Sequence, residues 1–235
     1  MKHLIETENP SGLTRVDYDR IILDSSTDNV IVRGGFSNGH PYVDLGLSVK
    51  WATMNVGATS ETDYGYFFQW GETEPHDANT PYDYLHYKYG NGAHDALTKY
   101  CTDSRRGTVD DKTTLELKDD AARAIMGGDW RMPTQKEFQE LIDNTNSEWT
   151  QVNGVNGRRF TSTKEGYQNN SIFIPASGTL SGFSTYTQEA SYSVWSSSLD
   201  TSYPPDALTL DFTPNRVSAN ISLSRDKGVV VRGVL

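Results

Sequence analysis

The sequence has one cysteine, Cys101, among its 235 residues. An intramolecular disulfide and a cysteine-based metal cluster are therefore excluded within this chain. It also lacks any apolar run long enough to form a membrane-spanning helix, so membrane insertion is not expected. Basic residues are outnumbered by acidic ones, 21 to 31, and the net charge is −10. Because an acidic surface repels phosphate backbones, we do not expect the chain to bind nucleic acid.

Hydrophobic and charged residues are also scarce, at 35% and 22% of the chain. In their place the sequence is rich in glycine, tyrosine and small polar residues, with 20 glycines and 13 tyrosines. A chain of this length and composition predicts one large domain, with or without a small appendage. Its core is expected to use aromatic side chains and short strands, with much of the length in loops.

The first 40 residues differ in pattern from the rest. Two short β-prone runs, at 20–23 and 29–32, flank a polar turn at 24–28. They predict a small β appendage, or an oligomerisation arm through which the chain would form a homo-oligomer. The alternative is an ordinary first hairpin of the main domain, which we place at 41–235. No apolar signal-peptide run follows Met1, which indicates a protein not exported by the usual route, or one lacking its leader.

Two helices are predicted in the middle of the chain. In the first, apolar residues recur at helical spacing from Leu117 to Ile125, and Gly127 ends the pattern. The second begins at Thr134, which forms a capping box with Glu137. Its apolar face consists of Phe138, Leu141 and Ile142.

The C-terminal part has the period of β-strands. Residues 171–175 predict a buried strand, and residues 207–212 and 217–223 alternate between apolar and polar side chains. The apolar run at 228–234 closes the chain, and three such strands in a row with short turns predict an antiparallel meander with one solvated face. Strict alternation places Val217, Ala219, Ile221 and Leu223 on the inward face.

Five blocks occur in order along the chain: 42–57, 68–72, 128–138 with Trp130-Arg131-Met132-Pro133-Thr134, 194–198, and 228–232. Together they resemble formylglycine-generating-enzyme-like domains, including paralogous domains of Bacteroidetes and Fibrobacter. The resemblance runs from about residue 41 to the C-terminus. It implies an α+β, C-type-lectin-like fold with two helices around a small antiparallel sheet and much irregular loop. The tryptophans of these blocks are expected to be core anchors.

The copper chemistry of that family does not carry over to this chain. Formylglycine-generating enzymes bind copper with a pair of cysteines near the end of the domain, and no cysteine follows Cys101. The histidines lie outside the blocks and show no metal-site spacing; they are His3, His40, His76, His86 and His94. We therefore expect no enzyme activity and no cofactor. Asp119-Asp120 could seed a calcium site, although acids at a helix start more often cap it.

The segment 196–226 contains no Trp, Met, Gln, Glu or Lys. Some proteins of the lectin-like class are variable proteins of diversity-generating retroelements, in which adenine-randomised codons cannot encode those five residues. One interpretation is therefore a diversified recognition surface. The alternative is the ordinary composition of Ser- and Thr-rich strands.

Polar residues of this segment lie in turns or on outward faces, and tyrosine, serine, asparagine and arginine suit adaptable recognition. The predicted ligand-binding residues are Ser198, Asp200, Ser202, Tyr203, Asp206, Thr213, Asn215, Arg216, Ser218, Asn220, Ser222 and Ser224. We expect a non-enzymatic protein that recognises a protein or glycan receptor, on a phage particle or a bacterial surface. The alternatives are an enzyme of this class with altered chemistry and a structural module of a surface assembly.

Overall fold

β-Strands dominate the fold in the computed structural model of this chain. The structure describes residues 21–25, 28–186 and 191–235, and it contains 38% strand and 9% helix. Three sheets have three to five strands each, and two more sheets are two-stranded hairpins. The predicted α+β, C-type-lectin-like arrangement of two helices around a small sheet is therefore wrong, and the protein is β-rich.

The strands, in chain order, are β1 (Ile21–Ser25), β2 (Asp28–Val32), β3 (Gly34–Ser37), β4 (His40–Val43), β5 (Trp51–Asn55), β6 (Phe67–Phe68), β7 (Thr145–Val152), β8 (Val155–Ser162), β9 (Ser171–Pro175), β10 (Thr179–Ser181), β11 (Ser184–Tyr186), β12 (Tyr192–Leu199), β13 (Asp206–Phe212), β14 (Val217–Ser224), β15 (Val229–Val230) and β16 (Arg232–Val234). The α-helices are α1 (Ala121–Met126) and α2 (Gln135–Asp143), and a 3-10 helix (Leu117–Asp119) precedes α1. Of the helices in the described part of the chain, none has the length and apolar character needed to cross a membrane.

The largest sheet has the strand order β14-β13-β12-β15-β6. Strands β12, β13 and β14 are consecutive antiparallel neighbours. The predicted pairing of 207–212 with 217–223 is therefore confirmed, but the closing run 228–234 is not the third strand of this meander, because β12 takes that place. Strand β15 runs parallel to β12. A four-stranded sheet has the order β16-β5-β4-β3, and a three-stranded sheet has the order β7-β8-β9. The end of the chain therefore contributes one strand to each of the two larger sheets.

The error in fold class has an identifiable physical cause in the hairpin of β7 and β8. Strand β7 is mostly polar, with Trp149 and Val152 as its apolar residues, so it shows no apolar alternation. A turn of Asn153 and Gly154, with φ of 49° and 83°, joins the two strands. Two consecutive positive φ values are the geometry of a tight hairpin turn. The hairpin is therefore defined by its turn residues and by the hydrogen bonds between its strands. The spacing of apolar residues along β7 does not indicate a strand.

The predicted helices are present, with the expected ends. The Thr134 hydroxyl accepts a hydrogen bond from the Glu137 amide, and the Glu137 carboxylate accepts one from the Thr134 amide, so the capping box is confirmed. The predicted first helix is divided into the 3-10 helix and α1, and it ends at Gly127 with φ of 66°. Arg131 Nη1 donates to both the Met132 carbonyl oxygen and the Glu137 carboxylate, at 3.1 and 2.8 Å.

The core is strongly aromatic. Four tryptophans of the blocks are fully buried, which confirms their expected structural role: Trp51, Trp70, Trp130 and Trp195. Helix α2 covers one face of the large sheet, where Phe138 and Leu141 join the apolar cluster of Leu210 and Phe212. A second cluster contains two tyrosines from the irregular segment 75–98, Tyr87 and Tyr89.

Strands β1 and β2 form a separate two-stranded sheet. Strand β3, which also precedes residue 41, pairs instead with β4 in the four-stranded sheet. The predicted division at residue 40 therefore falls at the start of β4 and within the β3–β4 hairpin. Residues 1–20 of the predicted appendage lie outside the described residues, and the oligomerisation arm stays a prediction.

Candidate ligand-binding surface

The hairpin of β13 and β14 carries most of the predicted ligand-binding residues, but it places them at two separate ends. The loop before β13 forms one end and the turn at 213–216 forms the other. Since a strand rises about 3.3 Å per residue, the seven residues of β13 hold the two ends roughly 20 Å apart. The predicted residues therefore do not form one continuous site.

The loop end is held together by hydrogen bonds to Asp200. Its carboxylate accepts hydrogen bonds from the Ser202 amide at 2.8 Å, from the Ser202 hydroxyl at 2.6 Å and from the Ser222 hydroxyl. Burial opposes ionisation of Asp200, but these hydrogen bonds outweigh it and lower the pKa. Tyr203 is exposed, and the Arg106 guanidinium lies 4.7 Å from the centre of its ring. Most polar groups at this end are thus engaged with one another.

A second acid, Asp206, lies beside this loop with an altered pKa. Burial raises the pKa of Asp206 to about 6, and the nearby charges of Asp200 and Asp226 add to the effect. The Ser224 hydroxyl donates to Asp226 at 2.6 Å and lies 3.1 Å from the Tyr84 hydroxyl. The ionised form of Asp206 is therefore disfavoured, and the nearby positive charge of Arg225 offsets this only in part.

The turn end presents two exposed side chains on an ordered backbone. The Thr213 hydroxyl oxygen accepts hydrogen bonds from the amides of Asn215 and Arg216, at 3.2 and 3.1 Å. The Asn215 and Arg216 side chains are left exposed. Arg216 extends back along the sheet, where Nη2 lies 3.1 Å from Asp211 Oδ1.

A β-bulge decides which residues of β14 share a face. Thr209 pairs with Ile221 and Asp211 pairs with Ser218, so two residues of β14 oppose one of β13. Paired residues of antiparallel strands lie on the same face. The strict alternation predicted for 217–223 is therefore wrong, because Ile221 and Leu223 lie on the face opposite to Val217 and Ala219.

Two predicted residues are isolated from both ends. Ser198 is part of the packing of β12 against α2, where its hydroxyl accepts a hydrogen bond from the Gln135 amide at 3.1 Å. Asn220 lies in the bulge and is exposed. Neither residue contributes to a concave surface.

Beside the turn end, a cleft of about 340 Å³ opens between β10 and the large sheet. Asp211 lies in this cleft with its side chain only 4% exposed. Its Oδ2 accepts hydrogen bonds from the Ser191 and Ser193 hydroxyls, at 2.5 and 3.2 Å. Arg216 Nη2 is close to Oδ1, yet among the described residues no donor is aligned with that oxygen.

Sequence reasoning missed most of this cleft. Alternation placed Asp211 on the solvated face of its strand, and gave no sign that it would be enclosed. Three other residues that line the cleft lie outside the segment 196–226, which was the predicted recognition surface: Ser191, Ser193 and Lys227. The one usable signal was an acid, Asp211, between the apolar residues Leu210 and Phe212, which is a position where a charge needs partners.

The acids considered for calcium are held by protein donors. Lys88 and Lys99 donate to Asp119 at 3.1 and 2.5 Å, and the Tyr100 hydroxyl donates to it at 2.7 Å. Asp120 caps α1 by accepting the Arg123 amide. Within residues 21–25, 28–186 and 191–235, no group of three or more His, Cys, Asp or Glu side chains could hold a metal ion.

The histidines that have polar partners are paired with carboxylates. His76 Nε2 lies 3.0 Å from Glu72, and His86 Nδ1 lies 2.7 Å from Asp83. Burial raises the pKa of Glu72. Cys101 is buried, and its thiol donates to the Asp103 carbonyl oxygen at 3.1 Å. None of these groups lines the cleft at Asp211.

Comparisons of this chain with protein-family models, with curated proteins and with solved structures found no match.

Proposed function

We propose that this chain is a non-enzymatic ligand-binding protein that recognises a protein or glycan receptor at the turn end of the β13–β14 hairpin. The observation that carries the proposal is the cleft at Asp211, where a buried carboxylate oxygen lacks an aligned donor. A buried acceptor without a donor is costly, and a bound ligand can supply that donor. Arg216 lines the cleft, and the exposed Asn215 precedes it in the turn. We call these two side chains the rim of the site.

The scaffold around the cleft supports recognition. The sheet is packed on one side by α2, and the turn is ordered by hydrogen bonds to Thr213. A rigid scaffold that presents a few polar side chains from a turn is a common arrangement in binding proteins. The proposal includes no catalytic step, and the single cysteine does not line the cleft.

Under this proposal the chain belongs among the formylglycine-generating-enzyme-like proteins diversified by retroelements, and it acts on a phage particle or a bacterial surface. The support is the run 196–226 without Trp, Met, Gln, Glu or Lys, which includes the hairpin. The test is the DNA flanking the coding sequence. A reverse transcriptase gene and a near-repeat of the 3′ coding region are expected, and their absence would contradict diversification.

The site itself is tested by two double variants, one at each end of the hairpin. Asn215→Ala with Arg216→Gln removes the rim of the cleft, while glutamine can still donate to Asp211. Ser202→Ala with Tyr203→Ala alters the loop end and serves as the matched control. Fluorescently labelled protein is titrated against a panel of bacterial cells and against their extracted surface proteins and polysaccharides.

We expect the rim variant to bind at least about tenfold more weakly, which corresponds to about 1.4 kcal/mol, and the loop variant to bind like the wild type. Thermal unfolding should change little in either variant, since the replaced side chains are exposed. Loss of binding only in the loop variant would mean that the receptor binds at the loop end of the hairpin. A wild-type protein that binds nothing in the panel would contradict the proposed function.

A further inference from the structure

The cleft at Asp211 has a chemical character that selects among ligands. It lies between β10, which contributes Thr179 and Ser181, and the face of the large sheet that contains Asp211. Its volume of about 340 Å³ falls at the lower end of the range of small-molecule sites, about 300–1,000 Å³. It is therefore sized for one small ring or for the end of a larger ligand.

The charges in the cleft are balanced within the protein. Arg216 Nη2 lies 3.1 Å from Asp211 Oδ1, and Lys227 Nζ lies 3.0 Å from Asp226 Oδ2. A cationic ligand would meet the guanidinium and the ammonium groups, and an anionic ligand would meet the Asp211 carboxylate. Because each like-charge contact is unfavourable, the cleft favours a ligand without net charge.

The hydrogen-bonding groups require a ligand that both donates and accepts. Asp211 Oδ1 has no hydrogen bond within the described part of the chain and can accept one, while the Arg216 guanidinium has several N–H groups to donate. The hydroxyls of Ser191 and Ser193 already donate to Asp211 Oδ2 and can only accept from a ligand. A hydroxyl group does both through a single neutral oxygen atom. Neighbouring hydroxyls on one ring could donate to the carboxylate and accept from the guanidinium at the same time.

One part of the cleft wall is apolar. The β-bulge turns Ile221 and Leu223 toward the same face as Asp211, and both line the cleft. Such a wall packs against C–H groups and excludes water from the polar contacts. A ring with hydroxyls at its edge and C–H groups on its face matches both walls.

We propose that the cleft binds a neutral sugar ring of a glycan, with a sugar hydroxyl donating to Asp211 Oδ1 and a neighbouring oxygen accepting from Arg216. The inference rests on the proposed function and narrows its receptor to a carbohydrate. A protein receptor is an outcome of the test.

The probes are immobilised glycans in three groups: neutral, sialylated and amino-sugar. Binding of the wild type is compared with that of Asp211→Asn and Arg216→Gln, and isothermal titration with the free monosaccharides of any positive glycan follows. Arg105→Ala is the control, because Arg105 is 86% exposed, pairs with Asp103 and does not line the cleft. It removes the same charge from the surface as Arg216→Gln.

We expect binding to neutral glycans, at least a tenfold loss with Asp211→Asn and with Arg216→Gln, and no loss with Arg105→Ala. Binding to a free monosaccharide identifies the sugar ring that the cleft holds. Binding only to the whole glycan indicates a longer epitope that includes this ring. Preference for sialylated or amino sugars, or neutral binding that neither cleft variant weakens, would overturn the inference. If cells or surface proteins bind but no glycan does, the sugar inference fails while the proposed function stands. If nothing binds, both fail.

Discussion

Asp206 offers a direct test of the electrostatics at the loop end. Its carboxylate is partly buried near those of Asp200 and Asp226, and its pKa rises from the ordinary 3.8 to about 6. Asp206→Asn keeps the shape of the side chain and removes its charge. We expect the variant to be more stable than the wild type at pH 7, because the ionised Asp206 destabilises the folded state.

The sign and size of the effect follow from proton linkage. Between pH 3.8 and 6 the folded state binds more protons at Asp206 than the unfolded state does, so its contribution to stability falls as pH rises. One pKa unit corresponds to about 1.4 kcal/mol, so the unscreened effect at pH 7 would be about 3 kcal/mol, and solvent screening at this partly exposed carboxylate makes the measured effect smaller. Below pH 3.8 both states are protonated at this position, and the difference between variant and wild type should disappear.

The assay is urea unfolding of both proteins at about pH 3.5, 5 and 7, which lie below, between and above the pKa values of Asp206 in the unfolded and folded states. The difference in unfolding free energy between the two proteins should grow with pH. Asp95→Asn, at an exposed acid, is the control and should show no such trend. An Asp206→Asn variant that is equally or less stable than the wild type at pH 7 would refute the reasoning.

Two further predictions concern the framework. Thr134→Ala removes the hydroxyl that accepts the Glu137 amide, and it should cost about 1 kcal/mol of unfolding free energy in urea denaturation; no change would mean that the capping box is redundant. Arg225→Ala removes a fully buried guanidinium that donates to the Tyr87 hydroxyl and to the Pro204 carbonyl oxygen. It should cost at least about 3 kcal/mol, because buried acceptors lose their donors, and a loss below about 1 kcal/mol would contradict this role.

The elements that the sequence could predict are those with a strong local signal. The capping box of Thr134 needs two side chains three residues apart, and the apolar face of α2 follows at once. Strands β9, β13 and β14 have apolar runs or alternation with clear turns. Each signal depends on neighbours in the chain, and no distant partner is needed to recognise it.

Apart from the local hairpin of β7 and β8, the features that were missed depend on distant partners. Strand β6 has two residues, and it exists because Phe68 pairs with Val229, far along the chain. Tyr87 lies in a polar, irregular segment, yet it is buried because Arg225 donates to its hydroxyl. The cleft was missed for the same reason, since β10 and the large sheet together enclose Asp211.

The bulge in β14 links the fold to the candidate site. With strict alternation, Ile221 would face the same side as Val217, where α2 covers the sheet. The extra residue between Ser218 and Ile221 changes the face of the sheet on which the following side chains lie. The Ile221 side chain therefore lines the same cleft as the Asp211 carboxylate. Polar and apolar walls therefore share one cavity because of a single inserted residue. A period-two pattern in sequence cannot show such an insertion, because the register that defines it belongs to β13.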